Sequence, residues 1–327
     1  HFKQLRILNL SHTPIEKLPD WICTLYNLQT LLLSDCKHLE ELPKDLGKLI
    51  NLCFLDISGV PLKKMPMKRG RLKNLQVLTA FVAGKDYGLT IEELGKLPML
   101  GGKLLISGLE KISGGREASM ANIKGKNQLE SLTLKWNDDG NGSQVARDVL
   151  DGLQPHSSIK HLKINGYCGT RFPNWLETPS FCHIESISLM NCEYCLSLPA
   201  LGQLQSLKSL EIVGMSNISA LTEDMYYGDN CEIKPFPSLR IFKIENMQQL
   251  EKWDIPEGEV FCSLENLSIM DCPKLVGELP KQLSSLKILE ISGCDRFVLS
   301  NGRLSILEEH IQQLSSLRQL TVSRMEN

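Results

Sequence analysis

The sequence predicts an α/β solenoid, in which short parallel strands alternate with turns and short helices. The stretch 28–43, LQTLLLSDCKHLEELP, reads L-x-x-L-x-L-x-x-C-x-x-L-x-x-L-P, and its Leu31 and Leu33 point to one side of a strand. The pattern recurs about every 26 residues from Leu5 to Leu317. These observations predict a leucine-rich-repeat horseshoe, with a parallel β-sheet on its concave face and short helices and loops on its convex side.

The pattern occurs in about thirteen irregular copies, and each copy should contribute one strand. The second leucine-type residue marks the centre of each strand. In chain order these centres are Leu8, Leu31, Leu55, Leu78, Leu104, Leu132, Leu162, Ile187, Leu210, Phe242, Leu267, Leu289 and Leu320. Leu75, Leu78 and Ala80 should face inward in the fourth copy. Gly101 takes the place of the first leucine in the fifth copy.

Short helices are predicted on the return path between strands. Their expected spans are Thr90–Leu97, Arg116–Lys124, Gln144–Leu153 and Ile306–Leu314. Thr90 is the expected N-cap of the first helix, because Glu93 follows it at the spacing of a capping box. Three phenylalanines each precede a first leucine-type position by three residues, which predicts an aromatic stack inside the coil. They are Phe181, Phe236 and Phe261.

The 327 residues are expected to form a single repeat domain, because a solenoid grows in one dimension without one large core. Regular copies occupy residues 1–82, irregular copies 83–128, and longer, variable copies 129–327. Neither end shows a polar cap, so we expect a fragment of a longer receptor. The net charge of −2 gives no general attraction to nucleic acid, and no apolar run of membrane-spanning length is present.

The eleven cysteines are an odd number and are scattered singly. Cys36, Cys192, Cys272 and Cys294 fall at one position of the repeat, which indicates small buried thiols. Reduced thiols favour a cytoplasmic location. Cys192 also forms a lone C-x-x-C with Cys195, but one such pair does not complete a tetrahedral zinc site.

No catalytic or cofactor motif accompanies the repeats. The sequence lacks a phosphate-binding loop, an H-E-x-x-H helix and a G-x-S-x-G turn, and its seven histidines are dispersed. We therefore expect no enzyme activity, no metal and no cofactor in this chain.

The outward strand positions of the middle and late copies are the candidate partner-binding surface. They mix charged and apolar side chains, whereas the first copies present mostly serine. Trp136 and Tyr167 stand at strand exits, where they could be contact hot spots or could pack under neighbouring loops. The candidate contact residues on the concave face are Lys135, Trp136, Lys163, Tyr167, Met190, Glu211, Lys243, Glu245 and Met270.

The stretch 62–73, LKKMPMKRGRLK, contains six basic residues and no acid. These residues are Lys63, Lys64, Lys68, Arg69, Arg71 and Lys73. The stretch is either a solvated basic turn or a docking patch for an acidic protein surface. Nucleic acid is the least favoured partner, because no aromatic residue is interleaved with the basic ones.

Several features together resemble one family. Leu-Pro ends the return path in several copies, at Leu18-Pro19, Leu42-Pro43, Leu198-Pro199 and Leu279-Pro280, and cysteine follows several strands. The stretches 72–85, 100–112, 150–176 and 198–212 resemble the leucine-rich-repeat domain of plant intracellular nucleotide-binding leucine-rich-repeat receptors of the coiled-coil class. The resemblance runs from Phe2 to Val322.

The resemblance implies a domain that recognises a pathogen effector, or a host protein that the effector modifies, and that restrains the receptor's nucleotide-binding region. It implies that residues 63–73 face that region and that the variable concave residues contact the effector. ADP or ATP would belong to the nucleotide-binding region, whose motifs this sequence lacks. A different class, the substrate-recognition arm of a ubiquitin ligase, uses the same solenoid; an F-box upstream would distinguish it.

Overall fold

The computed structural model describes residues 2–65, 72–84, 90–137, 142–227, 234–280, 283–298 and 314–323. The chain forms two compact units, His1–Ile159 and Lys160–Asn327. In each unit, the strands of successive copies pair in parallel, which confirms the predicted leucine-rich-repeat solenoid. The proposed division of the repeats into three stretches stays a prediction.

The first unit contains two parallel sheets. Its strands are β1 (Ile7–Asn9), β2 (Thr30–Leu32), β3 (Phe54–Asp56), β4 (Val77–Leu78), β5 (Ala80–Val82), β6 (Gly102–Ser107) and β7 (Leu129–Lys135). Strands β1 to β4 pair in chain order, and so do β5 to β7. The predicted strand centres face each other, since Leu31 pairs with Leu8 on one side and with Leu55 on the other.

The second unit has one long parallel sheet and one short one. Its strands are β8 (His161–Asn165), β9 (Ser186–Met190), β10 (Ser209–Val213), β11 (Ala220–Leu221), β12 (Ile241–Glu245), β13 (Lys252–Trp253), β14 (Asn266–Met270), β15 (Ile288–Ser292) and β16 (Gln319–Ser323). The long sheet has the order β8-β9-β10-β12-β14-β15-β16, and β11 pairs with β13. Every predicted centre from Leu162 to Leu320 again lies opposite the next one.

Short helices occupy the return paths. The α-helices are α1 (Glu92–Gly95), α2 (Gly115–Ser119), α3 (Ser143–Gly152) and α4 (Asp295–Val298). Turns of 3₁₀-helix span Asp20–Thr24, Leu46–Lys48, Leu109–Lys111, Ile123–Gly125, Asn174–Glu177, Leu201–Gln203 and Glu223–Met225. Within the described ranges, no helix has both the length and the apolar character that a membrane crossing requires.

The helix predictions are met unevenly. Helix α3, Ser143–Gly152, confirms the predicted span to within one residue at each end, and Val149 and the C-cap residue Leu153 are buried. Helix α1 is shorter than predicted and begins after Ile91 without a side-chain cap, so the assignment of Thr90 as N-cap is wrong. The span 116–124 divides into α2 and a 3₁₀ turn, and the span 306–314 lies outside the described residues.

The inward leucines form a continuous core in each unit. Leu31 and Leu33 are fully buried, and the same holds at the matching positions of most copies. The predicted aromatic stack is present between Phe236 and Phe261, whose ring centroids lie 5.5 Å apart. Phe181 is buried against Trp175 instead, at 5.6 Å.

The fourth copy departs from the template at Thr79. Phe81 is fully buried and Ala80 is partly exposed, so the prediction that Ala80 faces inward is wrong. One extra residue causes the shift, because Thr79 separates β4 from β5. The Thr79 hydroxyl accepts a hydrogen bond from the Ile57 amide at 2.8 Å. The backbone amide of Ile57 therefore keeps a partner where the strand ladder is interrupted.

Gly101 has no room for a side chain. A Cβ atom there would lie 2.9 Å from both the Cβ and the carbonyl oxygen of Gln128. The close approach of these two backbones explains why glycine replaces the first leucine of the fifth copy.

A residue in the left-handed backbone region ends most strands. These residues are His12, Asp35, Gly59, Gly108, Gly166, Asn191, Gly214, Asn246, Asp271 and Gly293. Glycine, asparagine and aspartate adopt this conformation at the lowest energetic cost. The turn leaves the ladder intact, since the Asn246 amide still donates to the Met270 carbonyl at 3.0 Å.

The residue after this turn points into the core. It is one of the repeat-phase cysteines in four copies, and all four cysteines are buried, as predicted. The thiol of Cys36 donates to the Leu10 carbonyl of the preceding copy at 3.1 Å. A buried cysteine here therefore satisfies a backbone group as well as filling space.

Lys126 is a buried cation that ties two copies together. Its Nζ donates to the carbonyls of Leu94 and Leu97, both at 2.8 Å, at the end of α1. The Leu94 carbonyl also accepts the Leu97 amide at 3.1 Å, so Lys126 adds to the backbone bonding at this helix end. Burial lowers the pKa of Lys126 to about 8, so the ammonium is still mostly protonated at neutral pH.

We expect Lys126→Ala to lower the free energy of unfolding by about 2 to 4 kcal/mol, because it removes two buried hydrogen bonds and leaves a cavity beside the Leu94 and Leu97 carbonyls. Chemical denaturation followed by circular dichroism measures this change. The matched control is Lys124→Ala, which removes an exposed lysine from the same turn and should change stability little. Equal stability of the two variants would contradict the capping role of Lys126.

Candidate interaction surface

The outer face of the second unit is made by alternate residues of its long sheet. Glu211 of β10 lies opposite Lys243 of β12, and both point away from the core. Further along the same strands, Glu245 lies opposite Met270. Strand pairing therefore brings residues that are about 25 to 35 positions apart in sequence into one surface.

Side-chain contacts hold this outer face in a defined arrangement. Lys243 Nζ lies 2.6 Å from a Glu245 carboxylate oxygen. The hydroxyl of Ser188 donates to the Glu211 carboxylate at 3.0 Å. Lys163, Met190 and Met270 complete the face and are partly exposed. A preformed surface of mixed charge and thioether groups suits recognition of another protein rather than chemistry on a small molecule.

The outer face of the first unit begins with smaller polar side chains than that of the second unit. Small polar groups bond to each other there, as in the 2.9 Å contact between the hydroxyls of Ser34 and Ser11. Lys135, at the end of β7, is one of the predicted contact residues of this unit, and its side chain is exposed to solvent. The contact role of Lys135 and of the outer-face residues of the second unit stays a prediction.

Trp136 and Tyr167 do not belong to the surface. Trp136 is 3% exposed and Tyr167 is fully buried, so their assignment as partner contacts is wrong and the alternative, packing beneath the surface, is confirmed. Tyr167 follows the left-handed Gly166 and therefore takes the inward position that cysteine holds in other copies. The glycine before it was the signal that could have revealed this orientation.

The segment around Tyr167 is a packing motif. The Tyr167 hydroxyl donates to the Arg171 carbonyl at 2.7 Å, and its ring stacks on Phe172 with centroids 5.3 Å apart. Gly169 must lack a side chain, because a Cβ atom there would lie 2.1 Å from the Tyr167 hydroxyl oxygen. The glycines and aromatic residues of this segment are thus explained by packing within the fold.

The basic stretch 62–73 has acidic neighbours in the fold, although it has none within its own sequence. Lys63, Lys64 and Lys73 are exposed, while Lys68, Arg69 and Arg71 lie outside the described residues. Glu40 of the preceding copy forms an ion pair with Lys63 at 2.5 Å, and Glu41 forms a backbone bridge with Lys64. The previous repeat therefore supplies one acidic side chain, Glu40, to a stretch that contains none.

The two cysteines of the C-x-x-C pair pack in the core. Cys192 and Cys195 are both fully buried, and the Cys195 thiol donates to the Gly169 carbonyl at 3.2 Å. Burial raises the pKa of Cys192 to about 12 and raises the pKa of Cys195 as well. Protonated thiols are poor metal ligands. Within the part of the chain that the structure describes, no group of three or more candidate ligands is placed to hold a metal ion.

One row of charged residues in the second unit escaped the sequence reasoning. It occupies the first position after the first leucine of each copy, at the amino edge of the long sheet. We call it the amino-edge row, and it consists of Lys160, Glu185, Lys208, Arg240, Glu265, Lys287 and Arg318. Aligning the copies and examining this position, as well as the two later outward positions, would have revealed it.

The chain is similar to known protein families and to several plant proteins. Residues 91–215 match the family described as R13L1/DRL21 LRRs, and residues 4–25 and 27–49 match Leucine Rich Repeat. Three similar proteins are named for disease resistance: At3g14460 and RPP13-like protein 1 of Arabidopsis thaliana, and RGA2 of Solanum bulbocastanum.

The similarity to these proteins covers most of this chain. The identities are 41%, 41% and 36%, over 93%, 88% and 79% of the chain, respectively. The chain spans only 22%, 29% and 26% of the length of these three relatives. The similarity therefore concerns one region of much longer proteins.

Labelling of the folded chain with a thiol reagent at neutral pH should modify the exposed Cys182 and spare Cys192 and Cys195. Burial protects the latter two thiols and keeps them protonated. Mass mapping of the labelled peptides measures the pattern, and labelling in denaturant gives the reference for full reactivity. Rapid labelling of Cys192 in the folded chain would contradict the packing role.

Proposed function

Because this chain is a leucine-rich-repeat region of the plant disease resistance proteins, we propose that it is the sensing and restraining part of an immune receptor. In this proposal it binds a pathogen effector, or a host protein that the effector modifies, and it holds the receptor's nucleotide-binding region at rest. It works in the cytoplasm and by binding alone, and any ADP or ATP is held by the nucleotide-binding region.

The outer face of the second unit is the observation that carries the sensing role. Its side chains vary from copy to copy, while the inward positions repeat. Ion pairs such as Lys243–Glu245 fix the charged groups before a partner arrives, which reduces the entropy lost on binding. The partly exposed Met190 and Met270 add apolar area that can adapt to a partner's shape.

Replacing Lys163, Glu211 and Lys243 together by alanine should abolish the response of the full receptor to its effector. A screen of co-expressed effectors in leaves, scored by cell death, first identifies that effector. The matched control replaces Lys234, Lys252 and Glu257, which are exposed residues of the same unit away from the outer face. An unchanged response of the outer-face variant, at equal protein level, would refute the assignment of this surface.

The restraining role draws on the basic segment of the first unit. Lys63 and Lys64 are exposed on the return path, away from the strands. Lys63 has one acidic neighbour, Glu40, and an exposed ion pair of this kind is weak enough to exchange for a different carboxylate. We infer that an acidic surface of the nucleotide-binding region competes for these lysines.

Reversing the charge at Lys63 and Lys64 to glutamate should disturb this contact in the full receptor. The expected result is cell death without effector, or loss of the response to effector, because acidic surfaces would now repel each other. Reversal of two other exposed lysines, Lys124 and Lys252, is the control. Normal behaviour of the Lys63 and Lys64 variant would argue against the docking role.

A further inference from the structure

We propose that the amino-edge row of the second unit is a docking surface for an acidic protein segment that carries an exposed apolar side chain. The inference rests on the proposed function, and it names the chemistry of the partner. It also adds a part of the surface that lies beside the outer-face residues considered above.

Backbone pairing aligns the row. The Lys208 amide donates to the Glu185 carbonyl, the Arg240 amide to the Lys208 carbonyl, and this pattern continues to Arg318, each at 2.7–2.8 Å. Neighbouring members therefore lie about one strand spacing apart, roughly 4.8 Å. The row reads +, −, +, +, −, +, + along the sheet, so its seven members carry a net formal charge of +3.

The two carboxylates of the row neutralise only part of this charge. Glu185 lies 3.0 Å from Lys208, and Glu265 bridges Lys287 at 2.7 Å and Arg240 at 3.9 Å. These contacts lower the pKa of both carboxyl groups, chiefly through the lysine partners. Glu265 is thus shared between two cations, so an incoming carboxylate would find cationic groups already held in place.

Among the described outer-face residues of the long sheet, a net positive charge is found at this edge. In the middle row, two lysines, Lys163 and Lys243, are matched in number by Glu211 and Glu290. At the far end of the strands, the described charged residues include Glu245 and Asp271. The surface is therefore polarised from the amino edge to the carboxyl edge, and a partner would be oriented as well as attracted.

Folding does not require charge at these positions. In the first unit the same backbone position is charged in some copies, as at Arg6 and Glu130, but it is uncharged at Gln29, Cys53 and Gln76. The amides and carbonyls of these three residues make the same ladder hydrogen bonds. The ladder uses only main-chain groups there. A repeated charge in the second unit thus calls for an explanation outside the fold, and a charged partner supplies one.

An exposed apolar residue, Ile241, lies next to the row. Ile241 follows Arg240 and is 43% exposed, with the polar residues Ser209 and Asn266 opposite it on the neighbouring strands. An apolar side chain bordered by cations is a suitable anchor for a partner that combines carboxylates with a leucine-like group.

A protein segment fits this surface better than nucleic acid does. Glu185 and Glu265 interrupt the cations, and they would repel a continuous run of phosphates. The described members of the row include no aromatic side chain on which a base could stack. Carboxylates spaced along a peptide can meet the paired cations and avoid the two acids.

The test measures binding of a fluorescein-labelled peptide of about twelve residues, rich in glutamate and containing leucine, to the 327-residue chain. Fluorescence anisotropy should show binding that weakens with added salt. Lys208→Glu with Arg240→Glu should weaken it about tenfold, and Ile241→Ser should weaken it several-fold. Lys234→Glu with Lys252→Glu is the matched control, because Lys234 is also ion-paired, to Glu259, and the change in charge is equal.

Absence of peptide binding at low salt, or equal loss in the control, would overturn the proposal. Tighter binding of a single-stranded DNA oligonucleotide of equal length would also overturn it, in favour of nucleic acid. Circular dichroism of each variant confirms that it is folded. In the full receptor, loss of response in the Lys163, Glu211 and Lys243 variant with a normal response in the Lys208 and Arg240 variant would reject this inference and leave the proposed function standing.

Discussion

The parallel hydrogen-bond ladder is the interaction on which each unit depends. Parallel strands need a long connection to return the chain to the start of the next strand. The left-handed residue at the end of most strands begins that return, and the residue after it turns into the core. No single copy could bury its leucines alone, so stability comes from stacking one copy on the next.

This constraint explains which features the sequence could predict. The alternation of leucines fixes inside and outside along a strand, so every predicted strand centre lies in a strand. The four repeat-phase cysteines are buried for the same reason. Beyond the strand, orientation depends on one backbone angle. Tyr167 looked exposed because it lies past the last leucine, but the left-handed Gly166 turns it inward.

The pattern of charge along the sequence does not show which charged residues are neighbours in the fold. Runs of charge along the chain predict local repulsion, but in a solenoid a charged side chain can also meet one from the neighbouring copy. Lys63 meets Glu40, and Lys208 meets Glu185, each at a separation of 23 residues. The stretch 62–73 therefore looked more basic than its surroundings are. The amino-edge row, whose members are isolated in sequence, went unnoticed for the same reason.

Stability and recognition are separated by the two sides of the same strand. Truncating an inward leucine to alanine typically costs 2 to 5 kcal/mol, whereas an outward substitution usually changes stability by less than about 0.5 kcal/mol. Outward residues can therefore differ between copies without loss of the fold, as the contrast between Gln76 and Arg240 at one backbone position shows. Where such a free position is charged in every copy of one unit, a partner is the constraint that we propose for it. The proposed recognition surface is therefore the amino edge and outer face of the second unit, whereas its buried aromatic residues belong to the scaffold.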